Sequence, residues 1–132
     1  MASLDTNVLV RYLIQDDELQ FLLAKKLIRA AVRAGDTLHI PITVVLELEW
    51  VLRSIFKFGK AQVTGMLSAL LSSRELSFES ETAAEIALVL YVKGNADFAD
   101  CMHVALAHAA GESPLWTFDR AAAAVDGAKL VV

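Results

Sequence analysis

Five acidic residues stand where their type and spacing could do chemistry: Asp5, Glu47, Asp97, Asp100 and Asp119. Asp5 and Asp119 each follow a short apolar run and precede a helical pattern. Asp97 and Asp100 lie three apart on one helical face, so their charges repel rather than pair. Glu47 has Thr43, Val44, Trp50 and Val51 at three and four residues, with no base in reach on an apolar face, and a carboxylate turned inward there needs a partner. Glu49 has Arg53 four residues on, in the favourable order, and reads as a solvated helix pair that leaves the candidate set. Taken singly, Asp5, Asp97 and Asp119 are ordinary helix caps. Gathered at one sheet end, the five would form an all-oxygen cluster whose repulsion a cation resolves. Hard oxygen donors without a Cys and His set suit Mg²⁺ or Mn²⁺, which keep several waters and bridge to phosphate. Phosphoryl chemistry is then the leading class.

The elements that would position these acids alternate along the chain. Ala2 to Leu4 read as a strand closed by Asp5, followed by a helix through Val8, Leu9, Tyr12 and Leu13. A second helix begins near Asp17 and stops at Gly35, with Lys25, Lys26, Arg29 and Arg33 late in it. Thr37 to Ile40 are a strand, and Pro41 opens a helix through Lys57, broken at Phe58 and Gly59. Lys60 to Ser72 form a helix, Ser80 caps the next, which runs to Gly94, and Leu76 to Phe78 are a short strand between them. Asp97 to Ala110 form a helix, Leu115 to Phe118 a strand, Asp119 starts a short helix, and Lys129 to Val132 finish as strand. Such alternation predicts an α/β fold with a mostly parallel central sheet, where ligands collect beyond the carboxyl ends of the strands.

The chain has 132 residues, which predicts one domain spanning residues 1–132. Hydrophobic residues make up 56% and charged residues 21%, a globular rather than disordered balance. Mean hydropathy is +0.50, yet charges interrupt every apolar stretch, so no membrane span is expected. No basic leader precedes Asp5, and the lone Cys101 excludes an internal disulfide framework; a reducing cytoplasm is the expected compartment. Twelve bases against sixteen acids give −4, so phosphate must be met by local cations or bound metal.

Four segments resemble a known family. Leu4-Asp5-Thr6-Asn7-Val8-Leu9-Val10-Arg11-Tyr12-Leu13, then Leu46-Glu47-Leu48-Glu49-Trp50-Val51-Leu52-Arg53, then Ala96-Asp97-Phe98-Ala99-Asp100, and finally Thr117-Phe118-Asp119-Arg120 are similar, in order, to the motifs of PIN-domain ribonucleases. More narrowly they resemble the VapC-type toxins of type II toxin–antitoxin pairs. The resemblance implies a Rossmann-like α/β/α sandwich and Mg²⁺- or Mn²⁺-dependent cleavage of RNA. It matches Asp5, Glu47, Asp100 and Asp119 to the catalytic acids, with Asp97 as an auxiliary metal ligand. It also implies a cognate antitoxin and a toxin homodimer. Thr6, Asn7 and Thr117, beside the acids, either orient carboxylates and waters or serve local turns and caps.

With alanines at 121 to 124, RNA contacts fall to Arg11, Arg120 or the spaced set Arg53, Lys57 and Lys60, a spacing that more often marks an ordinary solvated face. His103, three after Asp100, is more economically structural than a ligand or base. Trp50, Phe56, Phe58 and Met66 read as core before they read as partner contacts. HExxH, CxxC, GxSxG and GxxxxGK[ST] motifs do not occur, which lowers zinc-protease, redox, hydrolase-elbow and nucleotide-loop readings. The competing reading is a catalytically inactive PIN-like interaction module, its acids mere caps and its Leu-rich helices a partner surface.

Overall fold

The computed structural model describes residues 2–132. In chain order it contains β1 (Ala2–Ser3), α1 (Thr6–Ile14), α2 (Glu18–Arg33), β2 (Leu38–Ile40), α3 (Ile42–Ser54), α4 (Lys60–Leu71), β3 (Leu76–Phe78), α5 (Glu81–Lys93), α6 (Phe98–Ala109), β4 (Leu115–Thr117), α7 (Arg120–Ala123) and β5 (Ala128–Leu130). Helices separate parallel strands, which is the expected α/β class. The chain divides into two compact units, one ending at Glu79 and the other spanning Ser80–Val132. No helix among the described residues is long and apolar enough to cross a membrane.

In the first unit β2 lies between β1 and β3, with Leu38 opposite Leu76 and Ile40 opposite Phe78. The period-two pleat buries these four side chains and leaves His39 and Ser77 exposed. Helices α1, α2 and α3 pack around Leu9, Val10, Ala24, Ile28, Val45, Leu48 and Leu52, all buried. Two starts follow from side-chain caps: Asp5 Oδ1 accepts from Val8 N at 3.1 Å and Asp17 Oδ1 from Gln20 N at 3.0 Å, each cap adding about 1 kcal/mol. Pro41 has no side chain to cap α3, and Glu79 supplies the acceptor from a distance, its Oε1 taking the Ile42 N–H at 3.1 Å.

The expected extension of α3 to Lys57 is corrected. The helix stops at Ser54, Lys57 turns to φ 60°, and Phe58 N–H bonds back to the Leu52 carbonyl at 3.1 Å. Lysine here takes a left-handed conformation that glycine usually supplies past a helix end. Arg53, Lys57 and Lys60 therefore share no helical stripe. The turn also stacks Phe56 on Phe58, ring centroids 6.1 Å apart.

In the second unit α5 packs on α6 through small residues, with Ala83, Ala84 and Ala87 buried on one helix and Cys101, Met102, Val104 and Ala105 on the other. Cys101 is a buried thiol within this packing. Tyr91 meets Phe98 edge to face at 5.5 Å. Ser80 occupies the position before α5 but makes no side-chain cap bond, because φ 51° turns its backbone left-handed; the expected serine cap is corrected. Strands β4 and β5 pair in parallel, Leu115 opposite Ala128 and Thr117 opposite Leu130, so the last strand starts one residue earlier than predicted and ends two earlier. Gly127 (φ 101°) permits the turn into β5. A Cβ there would lie 3.0 Å from Val104 Cγ1, so helix α6 also needs a glycine at this point.

Candidate active site

In the first unit the candidate residues sit where β1 hands over to α1 and on α3. Asp5 is exposed at the N-cap of α1, its Oδ1 accepting from the Val8 amide. Thr6 is buried, and its hydroxyl donates to Glu47 Oε1, a bond joining residues 41 apart in sequence. A neutral donor thus fixes the Glu47 carboxylate without neutralising it. Asn7 is exposed and lines a cleft of about 290 Å³ between α1 and α2, with Val8, Arg11, Gln20, Leu23, Ala24 and Leu27.

The inward orientation expected for Glu47 and the solvated one expected for Glu49 are reversed. Glu47 is exposed, whereas Glu49 is 3% accessible. The buried stripe of α3 is Val45, Leu48, Glu49 and Leu52, spaced i, i+3, i+4, i+7, and Glu49 falls inside it. Arg53 Nε reaches Glu49 Oε2 at 2.8 Å, so the expected pair exists but shields a buried carboxylate. Trp50, on the outer side, is half exposed rather than core.

In the second unit Asp97 precedes α6, Asp100 lies in its first turn, and Asp119 caps α7. Asp97 is exposed and makes no side-chain cap bond. Asp119 Oδ1 accepts from Ala122 N at 3.0 Å, and its own amide donates to Thr117 Oγ1 at 3.0 Å, so Thr117 shapes the turn that presents the acid. Asp100 is half-buried, and its carboxyl is held above the ordinary aspartate range, first by desolvation, then by the negative charges of Asp119 and Asp97. Exposed His103, one turn along α6, pulls the other way.

A model of the PIN domain matches residues 2–128. The chain belongs to the PIN-domain family. PIN domains are generally nucleases acting on RNA or other nucleic acid, which supports a hydrolytic activity here. No curated protein matches the sequence. Nucleases of this family usually use a divalent cation such as Mg²⁺. Among the described residues of this PIN domain, no group of three His, Cys, Asp or Glu side chains stands together in ligating geometry. The chemistry of the donors nevertheless suits such an ion: every candidate is a carboxylate, and Asp100 carries a like-charge load that a cation would relieve.

The sequence reading missed two features of this PIN domain. The Thr6–Glu47 bond crosses elements, and only Thr6's place beside Asp5 hinted at it. The burial of Glu49 was signalled by Val45, Leu48 and Leu52, whose spacing already encloses position 49.

Proposed function

We propose that this PIN domain, acting as one nuclease domain, is a metal-dependent endoribonuclease that hydrolyses RNA phosphodiester bonds with Mg²⁺ or Mn²⁺. What carries the reading is the crowding at Asp100, a carboxylate loaded by Asp97 and Asp119 rather than paired with a base. Asp5 and Asp100 are the principal ligands, Glu47 is a ligand or water-orienting base, Asp119 completes the set, and Asp97 assists. A divalent cation held by these carboxylates would supply Lewis-acid stabilisation of charge on the phosphate and make a nearby water more acidic. The chain's own groups do the positioning: the Val8 and Ala122 amides aim Asp5 and Asp119, and the Thr6 hydroxyl aims Glu47. Asn7 and Thr117 support the same acids from beside them.

The protein is further proposed to be the cytoplasmic toxin of a toxin–antitoxin pair, working as a homodimer and held in check by a cognate antitoxin. The motif order from Leu4 to Asp119 supports this, as do Leu19, Leu22, Leu23 and Leu27, which α2 leaves 45–68% exposed for a protein partner.

The test offers structured RNAs to the purified, partner-free protein in Mg²⁺, Mn²⁺ or EDTA. The wild type should cut only with a cation. Asp5→Asn and Asp100→Asn should stay folded by circular dichroism and lose about a hundredfold or more in rate. Equal cleavage by all three proteins, or cleavage indifferent to EDTA, would reject the mechanism. A folded wild type that cuts no RNA would favour the inactive interaction module.

A further inference from the structure

The chain's ten aromatic side chains are unevenly used. Six meet pairwise, Tyr12 stacked with Phe21, Phe56 stacked with Phe58 and Tyr91 edge to face with Phe98, and Phe78 is buried. Three remain in solvent, and two of those, Trp116 (60% exposed) and Phe118 (82% exposed), come from one short stretch of the second unit. In β4 the pleat turns Leu115 and Thr117 partly inward and Trp116 outward, and Phe118, two residues on, emerges just past the strand end. The register sets exposed Lys129 of β5 directly beside Trp116, on the same face of the sheet. Arg120 opens α7 two residues after Phe118.

The two cations have an electrostatic character that the other candidate arginines lack. Arg11 is engaged by Asp16 at 2.9 Å and Arg53 by Glu49 at 2.8 Å, whereas Arg120 and Lys129 make no ion pair among the described residues. On a chain of net charge −4, this couples two free cations to two solvent-facing rings next to Asp119, a proposed catalytic acid. Each component has a matching feature in single-stranded nucleic acid: rings stack on bases, and cations track the phosphates.

We infer that the exposed face formed by Trp116, Phe118 and Lys129, with Arg120 beside it, is a stacking surface for single-stranded RNA. It holds bases next to the scissile linkage and selects unpaired over duplex substrate. The inference deepens the nuclease reading by naming the residues that hold its substrate, and it rests on that reading only for the cleavage step.

The sequence contains two tryptophans, so Trp50→Phe leaves Trp116 as the sole indole reporter. That variant is titrated with a single-stranded RNA of roughly a dozen nucleotides, with a duplex of the same length, and with no RNA over a range of protein concentration, each in Mg²⁺ and in EDTA. The single strand should quench Trp116, and the duplex should quench it far less. Trp116→Ala and Phe118→Ala, which alter exposed rings, should each weaken binding about tenfold, with the loss in KM, while Trp116→Phe and Phe118→Tyr retain it. Lys129→Gln and Arg120→Gln should each reduce the slope of log affinity against log salt by about 0.7.

Metal-dependent cleavage with Trp116 emission unmoved and KM unchanged in both alanine variants would overturn the platform while leaving the nuclease reading intact. Quenching without cleavage would support the platform and count against the nuclease. A shift in emission that follows protein concentration without RNA would assign the patch to a second copy of the chain and overturn the proposal.

Discussion

The two sets of acids are built on different principles. In the first unit Asp5 and Glu47 are held by neutral donors, the Val8 amide and the Thr6 hydroxyl, which orient each carboxylate and leave its charge in place. In the second unit Asp100 sits half-buried beside Asp97 and Asp119 and is destabilised as an anion. The first set is oriented by hydrogen bonds; in the second, Asp100 carries a tension that a cation would discharge. A structural carboxylate looks different again. Glu49, two residues from Glu47 on the same helix, is buried against Arg53 and already compensated. An acid's usefulness for ligation is therefore read from what neutralises it, and not from burial alone.

The largest expected contrast lies along α3. Glu47→Gln should lower the cleavage rate about a hundredfold with the melting temperature almost unchanged, because an exposed carboxylate is replaced at constant volume. Arg53→Ala should do the reverse. It strips the guanidinium from a buried carboxylate, costing about 2 kcal/mol or several degrees of melting temperature, while cleavage measured well below the transition persists. Thermal melts and initial rates on the two variants check both halves; a rate loss for Arg53→Ala equal to that of Glu47→Gln would merge the two glutamates into one role.

A smaller effect should follow from Thr6→Val, which keeps the buried shape and removes the hydroxyl that aims Glu47. About a tenfold loss of rate, with a shift in Mg²⁺ dependence, is expected. An unchanged metal titration would make the bond purely structural.

The smallest effect concerns stability. Since the folded carboxyl of Asp100 titrates above its unfolded value, the folded state binds the extra proton in that window. Metal-free stability is then full below the unfolded value and falls as pH rises through the folded one. Asp100→Asn in EDTA should melt about 1–3 °C higher than wild type near neutral pH and match it in acid. Added Mg²⁺ should reverse the order, because only the wild type gains a ligand.

Much of the fold was legible in sequence because its signals are local. Asp5, Asp17 and Asp119 announce helix starts through bonds to amides three residues on, and the alternating β2 and β3 patterns announce buried strands. The misread boundaries also have local causes. Lys57 took a left-handed conformation more usual for glycine, and no residue type flagged it. Ser80 kept its predicted position, but its backbone angle denied the hydroxyl its bond.

For the candidate site, sequence alone determined which residues carry oxygen donors, which of them follow strands, and that Asp97 and Asp100 share a helical turn. Tertiary structure decided the rest. It put Glu49 rather than Glu47 in the core, joined Thr6 to Glu47 across 41 positions, set Lys129 beside Trp116, and left Arg120 without an ion pair among the described residues while engaging Arg11 and Arg53. The physical reason is range. Capping and helix periodicity act over three or four residues and are written in neighbouring letters, whereas the environment of a charge depends on every element folded against it.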